Sequence, residues 1–390
     1  MLNAAEIIAR AQDRVGVEDS DPTAARNLAH LVETLNSTGR LSAEGERRSS
    51  DLFTLDTINR LDGIKWLRDH PEIAAEEIDA PVFLMGLPRS GTTYFQYLFD
   101  RDPRFRLIRT WQSMAPNPPP GLAPETVAQR RAAWNESRKA QPQFEGFEAL
   151  HLYDEDGSDE CHAFMQQSHA AAGLNNLFRV PDHFDYIMDE ADLVEAYRIH
   201  KRQFQLLQWR QEPRPWALKY PNHVIAMDAI LEVHPGARFV MTHRDPVQTL
   251  ASICKMTFNL RGMRMEGPVD PHEVGRDMRH FIRRHIERIM AFERGPQGSR
   301  VVHVDYYALV DDPVGQMRGI HAGIGIDTPD EVTEAVSAWH RANPKNARGR
   351  NDYTIEQWGL DAEEIAEEFG DYIRHFAIPR ERDGLARAAA

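Results

Sequence analysis

The chain has 390 residues, of which 42 % are hydrophobic and 27 % charged, enough for one large core or two modest domains. Its formal net charge of −14 excludes broad binding to nucleic acids or anionic membranes, because either function needs a dominant basic face. Any anion site must therefore be local. The two cysteines, Cys161 and Cys254, follow no disulfide-framework or zinc-ligand spacing.

The first 75 residues are predicted to form an N-terminal helical extension, and residues 76–390 the main domain. In the first 75 residues, apolar side chains such as Ile7 and Leu28 recur at helical spacing. Glu6, Arg10 and Asp13 interrupt the apolar positions, so the segment resembles neither an export signal nor a membrane span. Together with the sparse cysteines, this pattern favours a cytoplasmic location.

Four short apolar runs that end in turn residues predict buried strands. They are PVFLMGL from Pro81, WALKY from Trp216, RFVMTH from Arg238 and RVVHVDYY from Arg300. Helical patterns lie between them, including a helical region from Cys161 to about Trp209. This alternation predicts an α/β three-layer fold, with a central parallel sheet flanked by helices on both faces.

The sharpest motif is GLPRSGTT, Gly86 to Thr93, which follows the first predicted strand and precedes a helix. Its two glycines are spaced as in a P-loop, where backbone N–H groups and a helix N-terminus surround phosphate oxygens. Thr92 stands where a nucleoside triphosphatase has lysine, and the fixed charge is Arg89 inside the loop. The motif therefore predicts an anion cradle in a P-loop-type fold, and a plain turn is the alternative.

A second anion site is predicted after the strand RFVMTH. Arg244 opens the turn and Ser252 lies eight residues later on the following helix. Ligands bind at the carboxyl ends of strands in open α/β sheets, so the pair is placed to hold a phosphate. The alternative is a surface ion pair between Arg244 and Asp245.

A third basic element is the segment NPKNARGRNDY, in which Arg348, Gly349 and Arg350 precede Tyr353. In an acidic chain this cluster favours an anion-binding segment, with Tyr353 or a nearby aromatic side chain stacked on a base. A solvated basic turn is the alternative.

These three elements, in this order and spacing, resemble the PAPS-dependent sulfotransferase superfamily, and within it a bacterial group related to tyrosylprotein sulfotransferases. The resemblance implies the donor PAPS, the product PAP and no metal. The donor-binding residues that it implies are Arg89, Ser90, Gly91, Thr92, Thr93, Arg244, Ser252, Arg348, Gly349, Arg350 and Tyr353. Arg89 is expected to balance charge on the bridging oxygen, and Lys219, in a Lys-x-Pro element, to face the transferring group.

The proton acceptor is predicted to be His151, which resembles a family histidine that precedes a Glu-Cys pair. Glu160, of that pair, would orient His151 or act itself, while His162, His223 and His243 compete for the role. Gln112 follows Trp111 where many members of the group have glutamate, so this position supplies no base. The acidic residues are otherwise expected to form a solvated loop without metal-site spacing: Asp154, Glu155, Asp156, Asp159 and Glu160.

The sequence thus predicts a sulfotransferase that moves a sulfuryl group to a hydroxyl of a small-molecule acceptor by in-line displacement. An apolar stripe, more often core than pocket wall, favours a hydrophobic acceptor: Leu174, Leu177, Phe178, Phe184, Tyr186 and Ile187. A protein tyrosine acceptor, a P-loop kinase or NTPase, and a catalytically inactive nucleotide-binding protein stay as alternatives. No nucleic-acid or integral membrane partner is expected, and a homodimer stays open.

Overall fold

A computed structural model of the chain describes residues 1–140, 157–343 and 354–387. The helices that precede the second strand are α1 (Ala4–Val15), α2 (Pro22–Thr38), α3 (Ala43–Asp69), α4 (Thr92–Phe99), α5 (Thr110–Met114), α6 (Val127–Ala140), α7 (His162–Gln166), α8 (Leu174–Leu177), α9 (Pro181–Asp189) and α10 (Leu193–Gln208). The region expected to be helical from Cys161 to about Trp209 is thus four separate helices, α7 to α10.

The remaining helices alternate with the later strands or follow them. They are α11 (Met227–Val233), α12 (Pro246–Gly262), α13 (Pro271–Glu293), α14 (Tyr306–Asp311), α15 (Pro313–Gly323), α16 (Asp330–Ala342), α17 (Ala362–Glu368), α18 (Gly370–His375) and α19 (Glu381–Arg387). Asp245 caps α12 by accepting a hydrogen bond from the N–H of Val247, and Pro246 occupies the first helical position. The local sequence therefore ends the third strand and begins a helix within three residues.

The four predicted strands form one parallel sheet with the order β2-β1-β3-β4. They are β1 (Val82–Gly86), β2 (Ala217–Lys219), β3 (Arg238–His243) and β4 (Val301–Asp305). Val82 is in register with Ala217 on one side and with Arg238 on the other. Because all strands run in one direction, the turns after β1, β2 and β3 emerge side by side at one edge.

Side chains alternate between two cores along each central strand. Phe83 and Met85 of β1 point into a larger core that includes residues of α9, α12 and α13. Val82 and Leu84 point to the opposite face, where helices α4, α15 and α16 cover the sheet. Both faces are buried, which confirms the predicted three-layer arrangement.

The N-terminal helices pack onto the same larger core as the sheet. Leu28, Leu31 and Phe53 are fully buried in the cluster that contains Phe83. A buried ion pair between Arg60 and Asp19, whose side chains are 3 % and 2 % exposed, joins α3 to the segment after α1. Within the described ranges, no helix combines the length and the hydrophobicity that crossing a bilayer requires.

Candidate active site

The loop after β1 is tied to β3 at its base. The hydroxyl groups of Ser90 and Thr242 lie 2.9 Å apart, and Ser90 N–H donates to the carbonyl of Leu87 over 3.1 Å. A Cβ on Gly86 would lie 2.6 Å from the carbonyl oxygen of Thr242, so only glycine permits this close approach. The loop is thereby held against the neighbouring strand.

Two residues of the loop have left-handed backbone conformations. Arg89 has φ = 75° and Gly91, which directly precedes α4, has φ = 91°. A Cβ on Gly91 would lie 2.4 Å from the ring of Tyr306. Positive φ at a non-glycine residue is uncommon and is found where the surrounding structure holds a functional group in place.

Arg89, Ser252 and Arg244 form one contiguous group, although Arg89 lies in the loop after β1, Arg244 in the turn after β3 and Ser252 on α12. Arg89 Nε donates a hydrogen bond to Ser252 Oγ over 3.1 Å. Arg244 Nη1 donates to the carbonyl oxygen of Arg89 over 3.1 Å. The structure therefore joins the two anion-site motifs that the sequence presents 155 residues apart.

Arg244 forms an ion pair with Glu381, a residue that the sequence did not mark. Glu381, at the start of α19, accepts from Arg244 Nε over 2.9 Å and from Nη2 over 2.6 Å. The hydroxyl of Tyr307 donates to the same carboxylate over 2.7 Å, and Glu381 N–H donates to Asp245 Oδ2 over 2.8 Å. Tyr307 follows β4, so its position at a strand end was a usable signal, whereas nothing near Glu381 in the sequence marks it.

Lys219, at the end of β2, forms an ion pair with Glu160 and donates to Thr93 Oγ1 over 3.2 Å. Lys219 is only 1 % exposed, while Glu160 is 22 % exposed. Burying an ammonium group is costly unless a charge partner and hydrogen bonds compensate it, and both are present. Lys219 therefore connects the second strand both to Glu160 and, through Thr93, to the helix that follows the anion loop.

The expectation of a solvated acidic loop is wrong for Asp159 and Glu160. Asp159 is half-buried, accepts a hydrogen bond from Ser113 Oγ over 2.5 Å, and also accepts from the N–H of Glu160 over 2.7 Å. Burial raises the pKa of Asp159. The short contacts of Asp159 fix the backbone from which Glu160 reaches Lys219.

The histidines that compete with His151 differ in their surroundings. His162 Nδ1 lies 3.2 Å from the hydroxyl of Tyr220, and burial lowers the pKa of His162. His223 bonds Tyr197 over 2.6 Å and His243 bonds Tyr372 over 2.8 Å, both inside the core. Of these three side chains, His162 lies nearest in sequence to the Glu160–Lys219 pair.

Five predicted site residues lie outside the described residues: His151, Arg348, Gly349, Arg350 and Tyr353. Their roles stay predictions. Gln112 has a structural partner, because its Oε1 accepts a hydrogen bond from the N–H of Arg109 over 2.9 Å at the start of α5.

The apolar stripe in α8 and α9 belongs mainly to the core. Leu174, Phe178, Phe184 and Ile187 are each 1 % exposed and pack in the larger core. Both cysteines are free thiols, and both are buried. The thiol of Cys161 and ring nitrogens of His200 and His223 lie within 4.8 Å of one another, and the expectation that no metal takes part stays a prediction.

The family model described as "Sulfotransferase family" matches residues 81–330, which include β1 to β4 and the groups at their ends. The chain belongs to the sulfotransferase family. It is 24 % identical over 316 residues, 77 % of each chain, to the omega-hydroxy-beta-dihydromenaquinone-9 sulfotransferase Stf3 of Mycobacterium bovis and of Mycobacterium tuberculosis.

Two solved structures share the whole architecture of this sulfotransferase. Sulfotransferase STF9 from Mycobacterium avium aligns with a TM-score of 0.87 and 28 % identity, covering 98 % of both chains. Sulfotransferase STF1 from Mycobacterium tuberculosis H37Rv aligns with a TM-score of 0.82 and 25 % identity, covering 95 % of this chain and 99 % of the other. The enzyme is therefore a transferase of sulfuryl groups with the α/β fold described above.

Proposed function

We propose that this sulfotransferase uses PAPS as its donor and transfers the sulfuryl group to a hydroxyl of a small hydrophobic acceptor by in-line displacement. The observation that carries the proposal is the contact between the two anion-site motifs. Arg89 Nε lies 3.1 Å from Ser252 Oγ, and Arg244 Nη1 lies 3.1 Å from the carbonyl of Arg89. One nucleotide with two anionic groups is therefore able to reach both strand ends.

The residues present fit such a donor. Gly91 and the N-terminus of α4 provide backbone N–H groups for a 5′-phosphosulfate, together with the hydroxyls of Ser90, Thr92 and Thr93. Arg244 and Ser252 would hold the 3′-phosphate, because a guanidinium and a hydroxyl are matched to phosphate oxygens. Arg348, Gly349, Arg350 and Tyr353 are proposed to complete the donor site.

A hydrophobic acceptor is supported by a relative. Stf3 is named for an omega-hydroxy-dihydromenaquinone, which pairs a hydroxyl with an apolar body. We extend only the acceptor class to this chain. The proposal keeps the location cytoplasmic, where the donor nucleotide would be available.

The reaction exchanges one sulfur–oxygen bond for another. The acceptor oxygen forms a bond to sulfur as the bond to the donor's bridging oxygen breaks, and PAP leaves with that oxygen. Arg89 and Lys219 stabilise the negative charge that develops on the leaving oxygen. The acceptor's proton passes to Glu160 or to His151.

Glu160 is proposed for this step because its pairing with Lys219 places its carboxylate beside the group that would face the transferring sulfuryl group. When the carboxylate takes the proton, its attraction for the ammonium group falls. Lys219 then has its full charge to offer to the leaving oxygen at the moment that charge develops there. Proton acceptance and leaving-group stabilisation would thus be linked through one ion pair.

A ligand panel tests the donor. The midpoint temperature of thermal unfolding should rise with PAP and PAPS but change little with ATP or magnesium-ATP, because a ligand that binds only the folded state raises the stability of that state. Stabilisation by magnesium-ATP and not by PAP would favour a P-loop kinase or NTPase. PAP binding without transfer to any hydroxyl acceptor would favour a catalytically inactive nucleotide-binding protein.

Arg244→Ala tests the 3′-phosphate site. PAP binding should weaken by about tenfold to a hundredfold, the range for losing hydrogen bonds to a charged group, while AMP binding changes little. The two ligands differ only in the 3′-phosphate, and titration calorimetry compares them directly. Equal losses for PAP and AMP would remove this assignment.

A further inference from the structure

Glu381 lies where it controls the direction of Arg244. Its carboxylate forms a bidentate ion pair with Arg244, accepting from Nε over 2.9 Å and from Nη2 over 2.6 Å. The Arg244 guanidinium also lies 4.6 Å from the centre of the Tyr306 ring. Nη1 is directed to the carbonyl of Arg89 in the anion loop. A planar group held on one side and on one face has a single orientation.

The carboxylate has attachments of its own, independent of Arg244. Tyr307 donates its hydroxyl hydrogen to Glu381 Oε2 over 2.7 Å and accepts from the N–H of Asp245 over 3.3 Å. The N–H of Glu381 donates to Asp245 Oδ2 over 2.8 Å. The side chains of Arg244 and Glu381 are 13 % and 19 % exposed, so solvent screens the pair only in part.

A carboxylate beside an anion site has two opposite consequences. If Glu381 must leave Arg244 before phosphate binds, its carboxylate competes with the phosphate for the guanidinium. If Glu381 stays, it assists phosphate binding by orienting the guanidinium. Leaving would break the bonds to Tyr307 and Arg244 and disturb the backbone bond to Asp245, whereas staying keeps Nη1 directed at the loop. The network therefore favours assistance.

We infer that Glu381 is a positioning residue of the donor site, which acts by holding Arg244 toward the 3′-phosphate. The inference rests on the proposed function, because it requires a donor with a 3′-phosphate at Arg244. Glu381 lies beyond residues 81–330, the span that the family model matches, so the C-terminal segment of this chain would complete a site that the matched region begins.

Glu381→Gln keeps the size of the side chain and removes its charge. We expect PAP affinity to fall by about tenfold, since one charge-assisted contact to Arg244 is lost, with AMP affinity unchanged. The KM for PAPS should rise while kcat stays within about twofold, because the residue does not touch the transferring group. Titration calorimetry and initial-rate kinetics give these values.

Two further variants keep the test decisive if Glu381→Gln lowers stability. Tyr307→Phe removes one hydrogen bond to the Glu381 carboxylate and should also lower PAP affinity, by a smaller factor than Glu381→Gln does. Glu363→Gln is the matched control, because Glu363 forms an ion pair with Arg380, the residue before Glu381, at an exposed position. It should leave PAP affinity and KM unchanged.

The Arg244→Ala background separates assistance from competition. If Glu381 acts through Arg244, adding Glu381→Gln to Arg244→Ala should not weaken PAP further, since nothing is left to orient. Tighter PAP binding by Glu381→Gln alone would show competition and overturn the inference. Equal weakening of PAP and AMP would show a general structural role and overturn it as well.

Failure of the proposed donor gives a different pattern. If Arg244→Ala itself does not distinguish PAP from AMP, the 3′-phosphate site is wrong, and the positioning role falls with it. If Arg244→Ala distinguishes them and Glu381→Gln does not, only the positioning role is wrong.

Discussion

At the scale of single residues, the site places carboxylates against its buried cations. Lys219 meets Glu160, and Arg244 meets Glu381. Each pair offsets the cost of burying a charge, and each leaves the cation at the carboxyl edge of the sheet. A chain with a net charge of −14 thus builds a local cationic site, as its composition required.

Glu160→Gln tests the proposed proton acceptor. We expect kcat to fall by about 10² to 10⁴, the usual contribution of general base catalysis, while PAP binding changes little. Pre-steady-state or initial-rate measurements with PAPS and a hydroxylated acceptor provide kcat. The effect should be concentrated in kcat because the carboxylate acts on the acceptor's proton.

A double-mutant cycle with Lys219→Met checks the coupling between the two residues. If they work as one pair, Glu160→Gln should cost much less in the Lys219→Met background than in the native enzyme. Native kcat in Glu160→Gln would show that another group, with His151 as first candidate, takes the proton.

The sequence predicts several residues of the proposed site because each follows or ends an apolar strand. Arg89, Lys219 and Arg244 all follow or end such runs, and ligands gather at the carboxyl ends of parallel strands. Asp159 was misjudged because its acidic neighbours resemble a solvated loop, whereas in the fold Ser113 donates a hydrogen bond to the half-buried carboxylate. Partners distant in the sequence cannot be identified without the fold.

At the scale of elements, the loop between β1 and α4 depends on glycine for two reasons. Gly91 has φ = 91°, a conformation that side chains rarely adopt, and the ring of Tyr306 occupies the place of its absent Cβ. The same ring lies beneath Arg244 at 4.6 Å. The loop and the proposed second anion site therefore contact the same aromatic ring.

Gly91→Ala should reduce PAP affinity by about tenfold or more, because the added methyl group must push the loop or the Tyr306 ring aside. Both movements disturb an anion site. Titration with PAP measures the loss, and circular dichroism confirms that the variant is folded.

Gly16→Ala is the matched control for backbone strain. Gly16 ends α1 with φ = 74°, but no atom lies within 4 Å of its added Cβ. It should cost about 1 kcal/mol of stability through the left-handed conformation and leave PAP affinity unchanged. Similar PAP affinities for the two variants would show that the loop adapts and that its exact shape is not required.

At the scale of the whole molecule, the core formed by the described residues contains several buried imidazoles. Burial lowers the pKa of His169 and of His183 to about 3, and the pKa of His285 to about 4. Burial also lowers the pKa of His200 and of His223 well below the usual value. These histidines are neutral in the folded state and gain protons on unfolding.

Stability should therefore fall as the pH falls below about 6.5, where the unfolded chain begins to bind protons that the folded chain rejects. Each buried histidine should remove about 1 kcal/mol of unfolding free energy between pH 7.5 and 5.5. Urea denaturation at pH 7.5, 6.5 and 5.5 measures this dependence. Constant stability over the range would contradict the prediction.

His285→Gln should reduce the slope of unfolding free energy against pH by the equivalent of about one proton taken up on unfolding. The variant should also lower stability, because the hydrogen bonds to Phe281 and Asn222 are lost. The slope, and not the absolute stability, reports the titration.

The sequence by itself determined the four strands and the parallel three-layer fold, and it predicted the anion loop and its partner arginine. Those features depend on local patterns, namely apolar runs, glycine spacing and residues at strand ends. Only the tertiary structure decided that Arg89 contacts Ser252, that Asp159 accepts a hydrogen bond from Ser113 and that Glu381 forms an ion pair with Arg244. The physical reason is that hydrogen bonds and ion pairs act over about 3 Å in space, and spacing along the chain does not specify that distance across separate elements.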